Sequence, residues 1–596
     1  MRYACYDHEI TAIGQHAVRV ESADGEARVL EGTDAYLFRL CARPRTLEQH
    51  AAAFLGGGSP GEARRADVEA RLRRYVLEGL LVGEEALARR IASAGRRSVP
   101  ARIGSVGLPT RDRPEPLRRA LESLMRNDAD YGRDTEFVVV DDGTASGVSE
   151  AVLSSAAAKY GRRARLATRE GRREFARALA RRAHVPEGLV RFALEGDPRC
   201  GARFGAPRNV LLLDTAGGLS VHTDDDTVCS VGRLPGATAG LSISAAADAH
   251  EYRFMDTMDE ALAGVHAVNV DLLAAHEWVL GRTPAECVAA ALGRGEAVEI
   301  TGDARCVRIA SNEEARIAIT LPGTVGDCGG PAPQGTRALA HGPTFEWLVA
   351  DEARYASRLV SRRLSKSPAR YTISTGAHFA AISFGVDARA LLAPFAPVQT
   401  AEDTLFGAVH GYTSPYSLSA FIPYTVVHDP DGARPNPAWP LSFVHLANEV
   451  MRQMVQRFAP VWPAAEPADA LEALGGYLRS LGELAPARFR SFVEGQARAA
   501  MIAEAAQWES VLAQRPDTPA FWKDSVRDLV ARRRAWALAS TPASPCDLPG
   551  LAPERQALFQ SIVQRYGELL ACWPAIARAA AELRAAEVRP SRALRD

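Results

Sequence analysis

Acidic residues gather at three places in this chain. Asp141-Asp142 closes an apolar run at 136–140. Asp224-Asp225-Asp226 follows the run 211–214, a turn at Gly217-Gly218 and the segment 219–221. Glu402-Asp403 comes after a further 175 residues (227–401), just past Pro394, Phe395 and Pro397. Carboxylates crowded at the end of an apolar strand repel one another and are best held by a divalent cation or a positive ligand. Oxygen donors suit Mg²⁺ or Mn²⁺. Such a cation needs only one or two protein carboxylates when substrate phosphates fill its other positions. This is the chemistry of a nucleoside-diphosphate site. Taken alone, 224–226 reads equally well as a solvated turn between strands.

The elements around these acids belong to an α/β domain. Residues 103–108 read as a short strand ending at Pro109-Thr110, followed by a helix with Leu117, Leu121 and Leu124 on one face. The run 136–140 is apolar on both faces, the mark of a buried strand in a parallel sheet. Ligands of such sheets bind at the carboxyl ends of the strands, where Thr110 and Asp141 lie. A basic stretch, 162–182, reads as one helix whose arginines, interspersed with Glu170 and Glu174, form a solvated face. The glycine-rich segment 321–330, LPGTVGDCGG, reads as a set of tight turns or as an acceptor-facing loop that makes Asp327 a rival catalytic base.

Two further zones flank this domain. Residues 1–98 read as paired strands at 17–20 and 27–30, then three helices, with Thr46 as an N-cap and GGGSPG (56–61) as a flexible loop: a small winged-helix pattern. Arg96, Arg97, Ser98 and Pro100 read as the linker out of it. Residues 439–596 carry long Ala/Leu/Arg-rich helices separated by prolines at 460, 463, 486, 516, 542, 545 and 549. There Trp508, Phe521, Trp522, Trp536 and Trp573 read as core anchors.

Composition narrows the functional classes. With 71 Lys+Arg against 72 Asp+Glu in 596 residues, the net charge is −1, so no overall field draws the chain to nucleic acid or an anionic membrane. No apolar run reaches the roughly 18 residues of a membrane span, and the first residues lack a signal-peptide core. These features predict a cytoplasmic or peripheral protein. Nine scattered cysteines without a CxxC pair fit reduced thiols.

The segments IGSVGLPTRDRPEPLRRALESL, VVVDDG, GAPRN, VHTDDD and AEDTLFG, in this order over about 101–430, together resemble a family 2 glycosyltransferase of the GT-A fold. The resemblance implies a nucleotide-sugar donor, a UDP-sugar first among them, and Mn²⁺ or Mg²⁺. It implies that Pro109, Thr110 and Arg111 flank the nucleobase and that Asp141 and Asp142 hold base and ribose. Arg208 would lie by the nucleotide or diphosphate, and Asp224 and Asp226 would serve metal and donor. Asp403, in the Glu402-Asp403 pair, would be the base of an inverting hexosyl transfer. His428 is similar to the downstream metal-ligand histidine of some GT-A enzymes, and a surface-loop histidine would look the same. The long gap before Glu402 implies an insertion around 235–370.

The N-terminal pattern, with GTDAYLFRLCARPRTLEQHAAAF and LEGLLV over about 15–85, resembles the PqqD-like peptide-recognition fold. That resemblance implies a ribosomally made precursor peptide as acceptor, glycosylated on Ser, Thr or Cys. A structural or dimerisation module fits the same pattern. The C-terminal helices could form a cap, an acceptor platform or a homodimer interface. The expected architecture is therefore an α/β GT-A core (101–438), an N-terminal winged-helix domain (1–98) and a C-terminal all-α domain (439–596). The rival readings are a nucleotidyltransferase, for which 108–111 is a poor phosphate loop, and a catalytically inactive GT-A-like peptide-binding protein.

Overall fold

Strands Ile103–Thr110, Glu136–Asp141 and Arg163–Ala167 run parallel as neighbours, with helices Pro114–Asp130 and Ser146–Tyr160 as the crossovers. The both-faced apolarity of 136–140 has a direct cause. Val138 and Val140 enter one hydrophobic core, and Phe137 and Val139 enter another on the opposite face. The register pairs Thr110 with Asp141, and Leu219–Thr223 lies on the other side of Ile103–Thr110, also parallel. The acidic segments 141–142 and 224–226 therefore emerge at one edge of the sheet.

This computed structural model describes residues 1–5, 8–13, 16–22, 27–56, 62–95, 98–143, 146–329, 334–376, 379–432, 446–459, 466–539 and 545–594. Among them, 15 strands form one mixed sheet. Its main order is Val298–Ile300, Leu241–Ser244, Tyr371–Ser374, Ser417–His428, Arg316–Asp327, Ser383–Asp387, Leu219–Thr223, Ile103–Thr110, Glu136–Asp141, Arg163–Ala167 and Arg592–Ala593. No helix of the described residues is long and apolar enough to cross a membrane. All nine cysteines are free thiols.

Two expectations change. The segment 321–330 is not a turn set: most of it belongs to the strand Arg316–Asp327, buried along nearly its whole length. Its glycines make room for neighbouring strands. A Cβ on Gly323 would sit 2.4 Å from the Lys366 carbonyl oxygen, and one on Gly326, at φ +110°, would sit 2.4 Å from that of His428. Residue 330 lies outside the described residues. The basic stretch 162–182 is likewise not one helix. Arg163–Ala167 is a sheet strand and Arg169–Ala183 the helix, and Arg172 points inward with 1% exposure.

The N-terminal region has an antiparallel meander of His8–Ala12, Ala17–Ser22 and Ala27–Glu31, one strand more than the sequence suggested. Helices Gly32–Leu40, Leu47–Leu55 and Glu62–Leu77 follow, and Thr46 caps the second in a capping box with Gln49. Residues 57–61 of the glycine-rich segment and Arg96-Arg97 of the linker lie outside the described residues. Helix Glu84–Ser93 buries Leu87, Ala88 and Ile91 with Leu241, Ile243 and Ile300. It thereby covers one edge of the large sheet.

Helices Ala447–Phe458, Pro467–Gly482, Pro486–Gln514, Ala520–Leu538 and Ala552–Ala585 make up the C-terminal region. Pro486 marks the break between Pro467–Gly482 and Pro486–Gln514, opening the second as a first-turn proline can. Pro460, Pro463 and Pro542 lie outside the described residues. Leu474, Ile562 and Trp573 share one core with Val138 and Leu211, so these helices are packed onto the α/β unit. Trp508, Trp522 and Trp573 are buried as expected. Strand Arg592–Ala593 pairs with Arg163–Ala167 and occupies the other edge of the sheet.

Candidate functional site

The acidic triplet is held residue by residue. Asp224, Asp225 and Asp226 lie in the turn between strands Leu219–Thr223 and Thr227–Arg233. Thr110 Oγ1 donates to Asp225 Oδ2 at 2.7 Å. Arg113 reaches Asp225 Oδ1 at 2.5 Å and Asp226 Oδ2 at 2.7 Å. Arg208, from the wholly buried helix Gly205–Asp214, donates to Asp224 Oδ1 at 2.9 Å and to Glu402 Oε1 at 3.2 Å. Thr110, expected at the nucleobase, thus also anchors the triplet. Asp225 and Arg113 went unassigned in the sequence because a triplet does not show which of its members faces inward.

His428 arrives from a distant strand. Thr227–Arg233 pairs antiparallel with Ser417–His428, and the register sets Thr227 opposite His428. His428 Nε2 lies 2.9 Å from Asp226 Oδ1, and its Nδ1 lies 2.7 Å from the Asp327 carbonyl oxygen. A carbonyl only accepts, so Nδ1 carries a proton and Nε2 is aimed at the acids. Asp224, Asp226 and His428 each offer one ligand atom within 4.8 Å of the others. Two carboxylates and an imidazole form an O,O,N donor set that fits a divalent cation such as Mn²⁺. Burial opposes the charge on His428, yet the Asp226 carboxylate holds its pKa above the usual histidine range. Burial likewise opposes charge on Asp226, and His428 and Arg113 overcome it, so its pKa is lowered. Burial raises Asp224 despite Arg208 and pushes Asp225 up to about 7 despite Arg113.

Glu402 and Asp403 open the helix Glu402–Thr413 and have different surroundings. Glu402 is buried against Arg208, and burial with the adjacent Asp403 pushes it up to about 7. Asp403 is half-buried. Its Oδ1 accepts from the Thr404 amide at 2.8 Å and its Oδ2 from the Ala381 amide at 3.3 Å. Backbone at 381–382 ties the two acidic groups together. The Ala381 carbonyl accepts from Arg208 at 3.0 Å, and the Ile382 carbonyl accepts from the Asp224 amide at 2.9 Å. No side-chain pattern could have disclosed that bridge.

The Asp327 carboxylate is fully buried and committed to Arg362 at 2.7 Å and Arg363 at 3.0 Å. It reaches the site only through its carbonyl. At the opposite end, Asp142 receives Arg172 at 2.9 Å and Arg203 at 3.5 Å. Arg172, expected on a solvated face, lies inside. Asp141 Oδ1 accepts from the Gly143 amide at 2.7 Å. Its Oδ2 is buried with no hydrogen-bond partner among the described residues, an open acceptor at a strand end. Pro109 is half-buried in its strand, and exposed Arg111 reaches the Gly201 carbonyl at 3.4 Å.

A mixed sheet with helices on its faces, and acids gathered at the carboxyl ends of its parallel strands, defines an α/β protein with a candidate ligand site at those strand ends. More particularly, the sequence model described as glycosyl transferase family 2 matches residues 105–183. That match supports a family 2 glycosyltransferase, and the sheet and helices fit a GT-A-like core. No curated protein matches the sequence. Among solved structures, one titled "Heterocyclase in complex with substrate and Cofactor" is 17% identical, with TM-score 0.13. The overlap covers 28% of this chain and 23% of that one.

Proposed function

We propose that this protein transfers a hexosyl group from a nucleotide-sugar donor, a UDP-sugar in the first instance, with inversion and with the help of Mn²⁺ or Mg²⁺. The observation that carries the proposal is the convergence of Asp224, Asp226 and His428 at the strand ends where Asp141 leaves an acceptor oxygen open. Asp224, Asp226 and His428 would hold the cation. When bound, it supplies Lewis-acid stabilisation of the departing diphosphate. The open oxygen of Asp141 suits an N–H or hydroxyl of the base or ribose. Asp142, Pro109, Thr110 and Arg111 lie at the same strand ends and would flank the nucleotide, and Arg208 keeps Asp224 and Glu402 in place. Asp403 takes the proton from the acceptor hydroxyl or thiol. The freed lone pair forms the bond to the anomeric carbon, while the sugar–diphosphate bond breaks and its electrons leave with the nucleoside diphosphate. Asp403 is preferred to Asp327 as base because two arginines already hold Asp327.

The acceptor we favour is a Ser, Thr or Cys of a peptide. Strand Ala27–Glu31 has a neighbour on one side only among the described residues and is largely exposed, a form that supports strand addition. Calorimetric titration of UDP and GDP, with and without Mn²⁺, tests the donor reading in wild type and in Asp224→Ala/Asp226→Ala. Metal-dependent binding abolished by the double substitution is expected. One observation favours a second reading, an inactive peptide-binding protein: each acid of the triplet already has an arginine partner, Arg113 on Asp225 and Asp226 and Arg208 on Asp224. Absence of nucleotide binding by folded wild type would select it.

A further inference from the structure

The turn that delivers Glu402 and Asp403 is strained. Gln399 has φ +55° and Ala401, immediately before the helix, has φ +59°. Left-handed backbone at a non-glycine residue persists only where its surroundings hold it. Two of its fastenings come from the C-terminal region. Asn448, in the first turn of Ala447–Phe458 and fully buried, donates from Nδ2 to the Val398 carbonyl at 2.7 Å and to the Thr400 carbonyl at 2.8 Å. These two carbonyls bracket the left-handed Gln399. A second clip lies beside the first. Gln399 Nε2 donates to the Asp547 carbonyl, and Asp547 Oδ1 accepts from the Ala447 amide at 3.0 Å. Across the turn, the Gln399 amide donates to the Ala202 carbonyl at 2.8 Å.

The asymmetry of Asn448 is informative. Its Oδ1 is buried with no hydrogen-bond partner among the described residues. A buried amide oxygen left open is unfavourable, so the residue is not placed there to satisfy itself. Both of its amide hydrogens go to the acid-bearing turn. Upstream, Asn209 fixes the same loop by pairing with both backbone groups of Phe395, at 2.8 and 2.9 Å. Between these fastenings the chain has little freedom, and Asp403 follows from it two residues beyond the left-handed Ala401.

We propose that Asn448 is a positioning residue: through the carbonyls of Val398 and Thr400 it sets the backbone that aims Asp403 at the acceptor. The C-terminal helices thereby take part in the reaction without touching substrate. This role rests on the reading of Asp403 as the base. The hold on the turn itself can be measured independently of that reading.

The first experiment is amide hydrogen exchange on full-length wild type and Asn448→Ala. Exchange at 398–404 is expected to quicken by about tenfold or more, consistent with loss of local protection, while Ile103–Thr110 and Glu136–Asp141 stay unchanged. Unchanged exchange at 398–404 would overturn the proposal whether or not the protein is a transferase. The second experiment measures UDP release from a panel of UDP-sugars with Mn²⁺, water acting as acceptor, in Asn448→Ala, Asp403→Asn and the double variant. A misaimed base costs on the order of 10²-fold in turnover. That loss is expected with UDP affinity kept within about twofold, and with the double variant no slower than Asp403→Asn alone, because one residue acts through the other. Additive losses, or turnover intact despite faster exchange, would overturn it. Ala401→Gly guards against misfolding of Asn448→Ala. Glycine adopts the left-handed backbone without strain, so thermal stability should hold or rise, and adding Ala401→Gly to Asn448→Ala should restore part of the lost turnover; no restoration in a folded double variant would count against the proposal. Wild type that binds no UDP would remove the donor reading and leave the exchange result to decide whether Asn448 holds the turn.

Discussion

The two halves of the large sheet reach the acidic site by different routes. In the half matched by the family model, Ile103–Thr110, Glu136–Asp141 and Arg163–Ala167 are neighbours in space and successive in sequence. Each strand end is placed by its own crossover helix. In the other half, Ser417–His428 lies between Tyr371–Ser374 and Arg316–Asp327, and Ser383–Asp387 runs antiparallel to Leu219–Thr223. The first half presents a fixed acceptor, Asp141. The second presents His428 and Asp403, each brought in by contacts between residues far apart in the chain. The first half is thus assembled by local crossovers, and the second depends on many remote fastenings.

Substitutions on each side should break that division in different ways. The largest effect expected is from Asp403→Asn, which should lower transfer or donor hydrolysis by about 10²–10⁴-fold with Mn²⁺-dependent UDP affinity nearly unchanged. Steady-state kinetics beside calorimetry checks this, and parallel loss of affinity would erase the contrast between the halves. Next comes Arg589→Met, at the edge occupied by Arg592–Ala593. Arg589 pairs with Asp214 at 2.6 Å and Glu136 at 2.8 Å, and Asp214 is fully buried. Removing one partner of a buried pair costs about 3–5 kcal/mol, measurable by urea unfolding, and the loss should fall on the whole α/β unit.

Asp141→Asn sharpens the comparison from the binding side. The open Oδ2 has no protein partner to lose among the described residues, so stability without nucleotide should change little. A lost charged acceptor should cost about 1.5–3 kcal/mol of UDP affinity, with kcat on bound donor preserved. The smallest effect expected is at His276, in the second half. It is fully buried, and burial, with Arg133, lowers its pKa to about 3. A folded-state pKa below the unfolded value of about 6.5 contributes stability that is present above pH 6.5 and lost as pH falls toward 3. His276→Gln removes that proton uptake by the unfolded chain. The stability difference between wild type and variant should therefore shrink by about 1.4 kcal/mol per pH unit below pH 6, as read from urea midpoints at pH 7, 6 and 5.

Much of the site was legible because its chemistry is carried by charge at strand ends. Asp224, Asp226 and His428 were singled out by sequence, and their ligand atoms lie together. The parallel strands were readable because apolarity on both faces has a local signature. Glycine misled the reading at 321–330. Gly323 and Gly326 read as turn residues, yet they sit within a strand because neighbouring backbones press close there. Arginine misleads at 162–182, since a run of like residues does not say that Arg172 turns inward to Asp142 and is buried there.

By itself, the sequence determined the βαβ opening of the core, the acids at its strand ends, the separate helical stretches within 439–596 and the absence of any long apolar run. Those are local properties, written in periodicity and in the chemistry of neighbouring residues. Only the tertiary structure decided that Asp225 anchors while its neighbours face His428, that Arg208 links Asp224 to Glu402, and that Asp327 serves through its carbonyl. It also placed Asn448 on the turn before Asp403. Each of these depends on strand register or on a hydrogen bond to backbone between segments tens to hundreds of residues apart, and neither leaves a mark in the order of the side chains.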